Sequence, residues 1–302
     1  MTGSDDLFAG FATERIAANG VELHCRIGGD GPPLVLLHGY PQSHVMWHRI
    51  APALADHFTC VIPDLRGYGA SEAPRGGGDH AAYSKRTMAN DVVALMAELG
   101  HDRFRLAGHD RGGRVAYRLA LDHADRLERV AVLDILPTYE YWQRMNMAYG
   151  LTMYHWLFLA QPEPLPEMLI SAEPERYLDH TIASWTKAKD LSAFDPRALA
   201  HYRRLFTDPA RVHAACEDYR AGAGIDMELD TADVEAGRRI AVPLYAIWGG
   251  GGLAPAGPSP LDVWRRWAEN VDGTAVDSGH FVAEEAPDET LAALLPFLKG
   301  ER

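Results

Sequence analysis

The stretch Arg105-Leu106-Ala107-Gly108-His109-Asp110-Arg111-Gly112-Gly113-Arg114 constrains this chain more than any other. It reads as an apolar strand end running through Gly-X-Asp-X-Gly into a helix. Small residues flanking the central position let the backbone bend sharply enough to expose one side chain at the turn. That side chain is Asp110. A serine or cysteine there would attack an acyl carbon, whereas a carboxylate attacking carbon leaves an alkyl ester. The substrate to expect therefore carries an electrophilic sp³ carbon with a leaving group.

The segments around this turn alternate between strand and helix patterns. Phe11–Ile16 and Val21–Ile27 read as a hairpin joined at Ala-Asn-Gly. Leu34–Leu37 and Cys60–Ile62 are short unbroken apolar runs, which suit strands buried on both faces. Trp47–Leu54 reads as a helix shortened or kinked at Pro52. Met88–Leu99 is a helix ending at Gly100, Phe104–Gly108 a strand, Arg111–Leu121 a helix and Arg129–Leu133 a strand. From Leu136 to Asp226 the pattern becomes helical, aromatic-rich and punctuated by proline. Strand and helix signals resume with Val242–Trp248, Asp262–Trp267, Thr274–Val276 and Asp288–Leu298, after a loose Gly- and Pro-rich loop at 249–258. This alternation implies an α/β fold with a mostly parallel sheet between helices, where ligands collect beyond the carboxyl ends of the strands. The expected division is a core in two parts, 1–135 and 227–302, with a helical insertion at 136–226.

The formal net charge of -13 excludes a nucleic-acid or acidic-membrane surface as the natural partner. It leaves room for a small anion held by a local arginine pair. Cys25, Cys60 and Cys216 are widely spaced and read as buried thiols rather than metal ligands. The first residues show neither a basic region nor a long apolar run, and a cytoplasmic setting is the expectation.

A carboxylate nucleophile needs a base to activate water for the second step and an acid to orient that base. His280, in the loop after Thr274–Val276, is the candidate base. His101, His123, His180 and His213 read as surface residues, and His38 as structural. Asp134 ends Arg129–Leu133 and is the candidate acid, with Asp262 as the fallback; Trp248-Gly-Gly-Gly-Gly-Leu offers no carboxylate. Hydrolysis of the ester develops negative charge on the Asp110 carboxyl, and the backbone N–H groups of Tyr40 and Arg111 are placed to meet it. Arg111 and Arg114 fall in the first turn of the helix, where guanidinium forks suit a carboxylate.

His38-Gly-Tyr-Pro-Gln-Ser-His-Val-Met-Trp47, Gly108-His-Asp-Arg-Gly-Gly-Arg114, Val132-Leu-Asp-Ile-Leu-Pro-Thr-Tyr139, His155-Trp156, Cys216-Glu-Asp-Tyr219 and Ser278-Gly-His280 together resemble the α/β-hydrolase superfamily. Within it the chain is most similar to the fluoroacetate dehalogenases of the aspartate-nucleophile branch, over nearly its whole length. The resemblance implies a helical cap over the core and a haloacid substrate. It also implies no cofactor or metal and a homodimer; the net charge and the lack of an apolar run long enough to span a bilayer give the expectation of no nucleic-acid or membrane partner. It assigns the substrate carboxylate to Arg111 and Arg114, and the departing halide to His155, Trp156 and Tyr219. Read without it, Trp156 and Tyr219 are core residues and Trp185 is packing. Epoxide hydrolases share the elbow but use two cap tyrosines; Tyr219 fits one, and the other position reads His155-Trp156 unless Tyr141 or Tyr154 substitutes. A 2-haloacid other than fluoroacetate remains an alternative substrate. A non-catalytic binder on the same fold would break the triad, and here Asp110, Asp134 and His280 are all present.

Overall fold

The computed structural model describes residues 6–251 and 259–302. Its first two strands, β1 (Ala12–Ala18) and β2 (Val21–Gly28), form the expected antiparallel hairpin. Asn19 and Gly20 supply the left-handed turn between them. Then follow β3 (Pro33–Leu37), β4 (Thr59–Pro63), β5 (Phe104–His109), β6 (Leu127–Leu133), β7 (Leu244–Gly249) and β8 (Val271–Val276). All eight join one sheet in the order β1-β2-β4-β3-β5-β6-β7-β8. β2 pairs antiparallel with β4, and every pairing beyond β4 is parallel. Leu34, Val35, Leu36 and Leu37 are all buried, as an apolar run with helices on both faces requires.

Three helices lie between the strands of the first half: α1 (Ala51–Ala55), α2 (Lys85–Glu98) and α3 (Asp110–Asp122). The helix expected over 47–54 is instead a 3-10 turn, His44–Trp47, followed by α1. Pro52 sits in the first turn of α1, where its missing N–H has no intrahelical partner to lose. Between β6 and β7 stand eight helices and no strand: α4 (Thr138–Gln143), α5 (Met147–Thr152), α6 (Tyr154–Leu159), α7 (Leu165–Ala172), α8 (Pro174–Trp185), α9 (Pro196–Phe206), α10 (Pro209–Ala223) and α11 (Ile225–Glu235). The division expected at 226 falls inside α11, because the helix runs on to Glu235. α12 (Pro260–Trp267), α13 (Val282–Glu285) and α14 (Pro287–Lys299) complete the core.

All three cysteines are buried and free. His213 is also buried, against its reading as a surface residue: Nδ1 faces Glu167 at 3.3 Å across the α7–α10 contact. Most of the loop expected at 249–258 lies outside the described residues. No helix among the described residues is long and apolar enough to cross a membrane.

Candidate active site

Parallel strands end on one edge of the sheet, and the site assembles there. β5 passes directly into α3 at Asp110, whose φ is 46°. A β-carbon on Gly112 would stand 2.3 Å from the carbonyl oxygen of His38, so only glycine lets α3 approach the end of β3 this closely. The turn therefore presents a strained, buried carboxylate at the sheet edge. The Tyr40 N–H donates to Asp110 Oδ1 at 2.8 Å. No bond from the Arg111 N–H to that carboxylate is present among the described residues. Asp110 Oδ2 is left toward His280, whose Nε2 lies 3.8 Å away.

The next strand ends, β6 and β8, deliver the partners. Asp134 follows β6 with φ 49°, and its Oδ2 accepts from His280 Nδ1 at 2.6 Å. Its Oδ1 accepts from the Gly249 N–H at 2.9 Å, which fixes the carboxylate across the end of β7. Burial would push the His280 imidazole down, but the bond to Asp134 and the charges of Asp134 and Asp110 outweigh it and hold the group above its ordinary value. Burial likewise opposes ionisation of Asp110. His280, His109, Arg111 and Arg114 outweigh it, so Asp110 stays below the usual carboxylate range and is an anion at neutral pH.

The two arginines differ. Arg111 is bound to Asp218 of α10: Nε to Oδ2 at 3.1 Å, Nη2 to Oδ1 at 2.5 Å and Nη2 to the Asp218 carbonyl at 2.7 Å. Its Nη1 is buried without a hydrogen-bond partner among the described residues. Arg114 pairs with no acid among the described residues; Nη1 donates to the Leu136 carbonyl at 3.1 Å and to Thr138 Oγ1 at 3.0 Å. Its guanidinium lies 4.4 Å from the ring centroid of Trp156 and 4.7 Å from that of Tyr141. A cavity of about 430 Å³ opens beside these groups, lined by Asp110, Arg114, Asp134, His155, Trp156 and His280 among others. Tyr219 stands just behind, edge-on to the rings of His155 and Trp156 with centroids 5.8 Å away in each case. Burial pulls His155 down to about 3, so the ring is neutral and offers a single N–H.

A family model described as the alpha/beta hydrolase fold matches residues 32–180. The chain is 43% identical to a fluoroacetate dehalogenase of Burkholderia sp over 98% of its length and 96% of that protein. It belongs to the α/β-hydrolase family. It is also 36% identical to a soluble epoxide hydrolase of Corynebacterium sp. (strain C12), over 92% of this chain and 94% of that one. A solved structure from Pseudomonas aeruginosa, provisionally named an epoxide hydrolase, superposes with a TM-score of 0.93 at 44% identity and 99% coverage of both chains.

In this α/β-hydrolase the structure gathers Asp110, Asp134, His280, Arg114, His155 and Trp156 around one cavity, and places Arg111 and Tyr219 immediately behind it. Asp262, the alternative acid, is exposed on α12 and pairs with Arg265 at 2.8 Å. His38 is buried and accepts from the Leu65 N–H through Nε2, consistent with a structural part. Three groups escape a reading of the sequence. Asp218 holds Arg111. Glu285 accepts the N–H groups of Lys187, Gly279 and Phe281 and so shapes the loop that carries His280. His109 donates from Nε2 to the His280 carbonyl at 2.8 Å. The motif Cys216-Glu-Asp-Tyr219 does contain Asp218, but nothing in it signals a partner on α3. Trp185 lines the cavity, its ring 4.4 Å from that of His155.

Proposed function

We propose that this hydrolase cleaves the carbon–halogen bond of a small 2-haloacid, with fluoroacetate as the substrate to test first and glycolate and fluoride as products. The observation that carries the reading is the buried Arg114, which lines the cavity beside Asp110 and meets only neutral oxygens. A buried cation with no hydrogen-bonded counter-ion is costly, and a substrate carboxylate supplies one. The free Nη1 of Arg111 is a second donor for it. With the carboxylate there, Asp110 Oδ2 attacks the α-carbon, the C–F bond breaks, and fluoride leaves with the bonding pair. His155, Trp156 and Tyr219 offer an imidazole N–H, an indole N–H and a phenol O–H to the departing anion. His280, oriented by Asp134, then takes a proton from water. The hydroxide adds to the ester carbonyl, its charge received by the N–H groups of Tyr40 and Arg111. The C–O bond to the glycolyl group then breaks, its oxygen takes the proton back from His280 to leave as glycolate, and the Asp110 carboxyl releases a proton to solvent to regenerate the carboxylate.

The first test is fluoride release measured with an electrode. A single turnover in ¹⁸O water is expected to place the label in the Asp110 peptide and none in glycolate; direct attack of water on the α-carbon gives the reverse. Asp110→Asn abolishes turnover, and His280→Asn accumulates the ester. Arg114→Met is expected to lower kcat/KM by roughly 10²–10³-fold, the range for removing one partner of a buried charge pair. Tyr141 and Tyr154 also line the cavity, which favours epoxide opening as the second reading. Diol formation from an epoxide without fluoride release would install it. The proposal further takes the helices between β6 and β7 as a cap over the core, the setting as cytoplasmic, and the assembly as a homodimer. The exposed Met147, Leu151, Met168 and Leu169 on α5 and α7 support the last of these.

A further inference from the structure

The cavity has a second cation at its mouth. Lys189 lines it, is exposed, and comes within ion-pair distance of no carboxylate among the described residues. Its Nζ donates to the Ser184 carbonyl near the end of α8 at 2.8 Å. The adjacent Asp190 is engaged elsewhere, its Oδ1 accepting the N–H and hydroxyl of Ser192 at 2.9 and 2.6 Å. In contrast, Lys187 is paired with Asp277. A free ammonium at this point stands out in a chain whose net charge is -13, since that field repels any small anion approaching from solution.

The backbone at Lys189 is also strained. Its φ is 60°, in the left-handed region that a residue with a β-carbon enters at a cost. The neighbours enforce this conformation. The Asp190 N–H donates to the buried Thr186 hydroxyl oxygen at 3.2 Å, and that hydroxyl lies 3.0 Å from the carbonyls of both Ala183 and Asp190, closing the turn over Lys189. The same segment is fixed to the loop of the candidate base, because the Trp185 carbonyl accepts the His280 N–H and Glu285 accepts that of Lys187. Glycine would fill position 189 without strain, yet a cation stands there, on the cavity wall.

From the strained turn, the unneutralised ammonium and its place on the cavity wall, we infer that Lys189 is an anion-steering residue that raises the local concentration of the carboxylate substrate. The inference rests on the haloacid reading above. Lys189 does not touch the reacting atoms; it acts on capture, and Arg114 acts on the bound carboxylate. A structural alternative is that Lys189 only caps α8, and Lys189→Gln separates the two because its amide still donates to Ser184 while the charge is gone.

The test measures acetate, an unreactive carboxylate, by quenching of tryptophan fluorescence, since Trp156 and Trp185 line the cavity. At about 20 mM ionic strength Lys189→Gln is expected to weaken acetate binding roughly 2–5-fold, and Lys189→Arg to restore it. At about 300 mM sodium sulfate the difference closes, because an exposed charge is screened. Lys189→Gly shows the same loss with a melting temperature equal to or roughly 1–3 °C above the parent, as strain is released. With fluoroacetate the loss appears in KM while kcat is unchanged. Equal acetate affinity in Lys189→Gln and the parent at low ionic strength overturns the inference, as does a deficit that salt leaves untouched. Acetate binding that follows this pattern without any fluoride release keeps the steering role and removes the haloacid reading. No binding of acetate to the parent removes both.

Discussion

At the scale of single residues the chemistry turns on how Asp110 and His280 set each other's charge. Asp110 is held ionised in part by His280, and His280 is held above its ordinary value in part by Asp110. In the proposed mechanism esterification removes the Asp110 charge, and with it one cause that raises His280. The base therefore becomes easier to deprotonate at the step that uses it. Because the proposed base acts as a neutral imidazole, turnover is expected to rise with pH and to be lost as pH falls through the His280 value. In the free enzyme that midpoint lies above the ordinary value of about 6.5. The acid limb of kcat, set by the ester, is expected below the value found by NMR titration of His280 in the free enzyme. Asp110→Asn mimics the uncharged ester and should lower the NMR midpoint in the same direction. An unchanged or higher midpoint in Asp110→Asn would mean that the two groups are not coupled in this way.

At the scale of elements, the junction of β5 and α3 sets the position of everything else. Its closest approach is at Gly112, where the missing β-carbon leaves room for the His38 carbonyl. Gly112→Ala is expected to push α3 away from β3 and cost about 1–3 kcal/mol in denaturant unfolding, with a larger loss of activity than of stability. Retained activity in that variant would show that the elbow tolerates displacement. The same junction explains what the sequence made legible. A strand, a glycine turn and a helix are local patterns, and the residues at strand ends share one edge by topology, so Asp110, Asp134 and His280 could be placed from the chain alone. The state of the two arginines could not. Arg111 and Asp218 are 107 residues apart, and their pairing depends on how α10 packs on α3. Arg114 meets the Leu136 carbonyl and Thr138 instead of an acid, again through packing alone. The helical segment also runs past Asp226, its expected end, because α11 continues to Glu235, and packing brings the Asp226 Oδ1 to the Lys85 N–H of the core.

At the scale of the whole molecule, the helices between β6 and β7 are fastened to the core by buried polar groups. Arg118 of α3 binds Asp230 at 2.9 Å and Asp233 at 2.6 Å on α11, and the Tyr117 hydroxyl donates to Asp230 at 2.8 Å. On α10, Asp218 receives Arg111, Lys85 and the Tyr68 hydroxyl together. A buried carboxylate shared by two cations cannot be released from one side alone, because separation leaves each charge in low dielectric without a partner. The helical segment and the sheet are therefore expected to unfold in one transition. The seven tryptophans report on both parts: Trp142, Trp156 and Trp185 lie between β6 and β7, and Trp47, Trp248, Trp264 and Trp267 lie outside. Fluorescence and far-UV circular dichroism should give coincident melting curves. Asp218→Ala leaves Arg111 and Lys85 uncompensated and is expected to cost about 3–5 kcal/mol, lowering the common midpoint by roughly 5–15 °C without splitting it. A separate early fluorescence transition in that variant would mean that the helical segment opens independently. The Asp218 cluster would then act locally on Arg111 and would not join the two parts of the molecule.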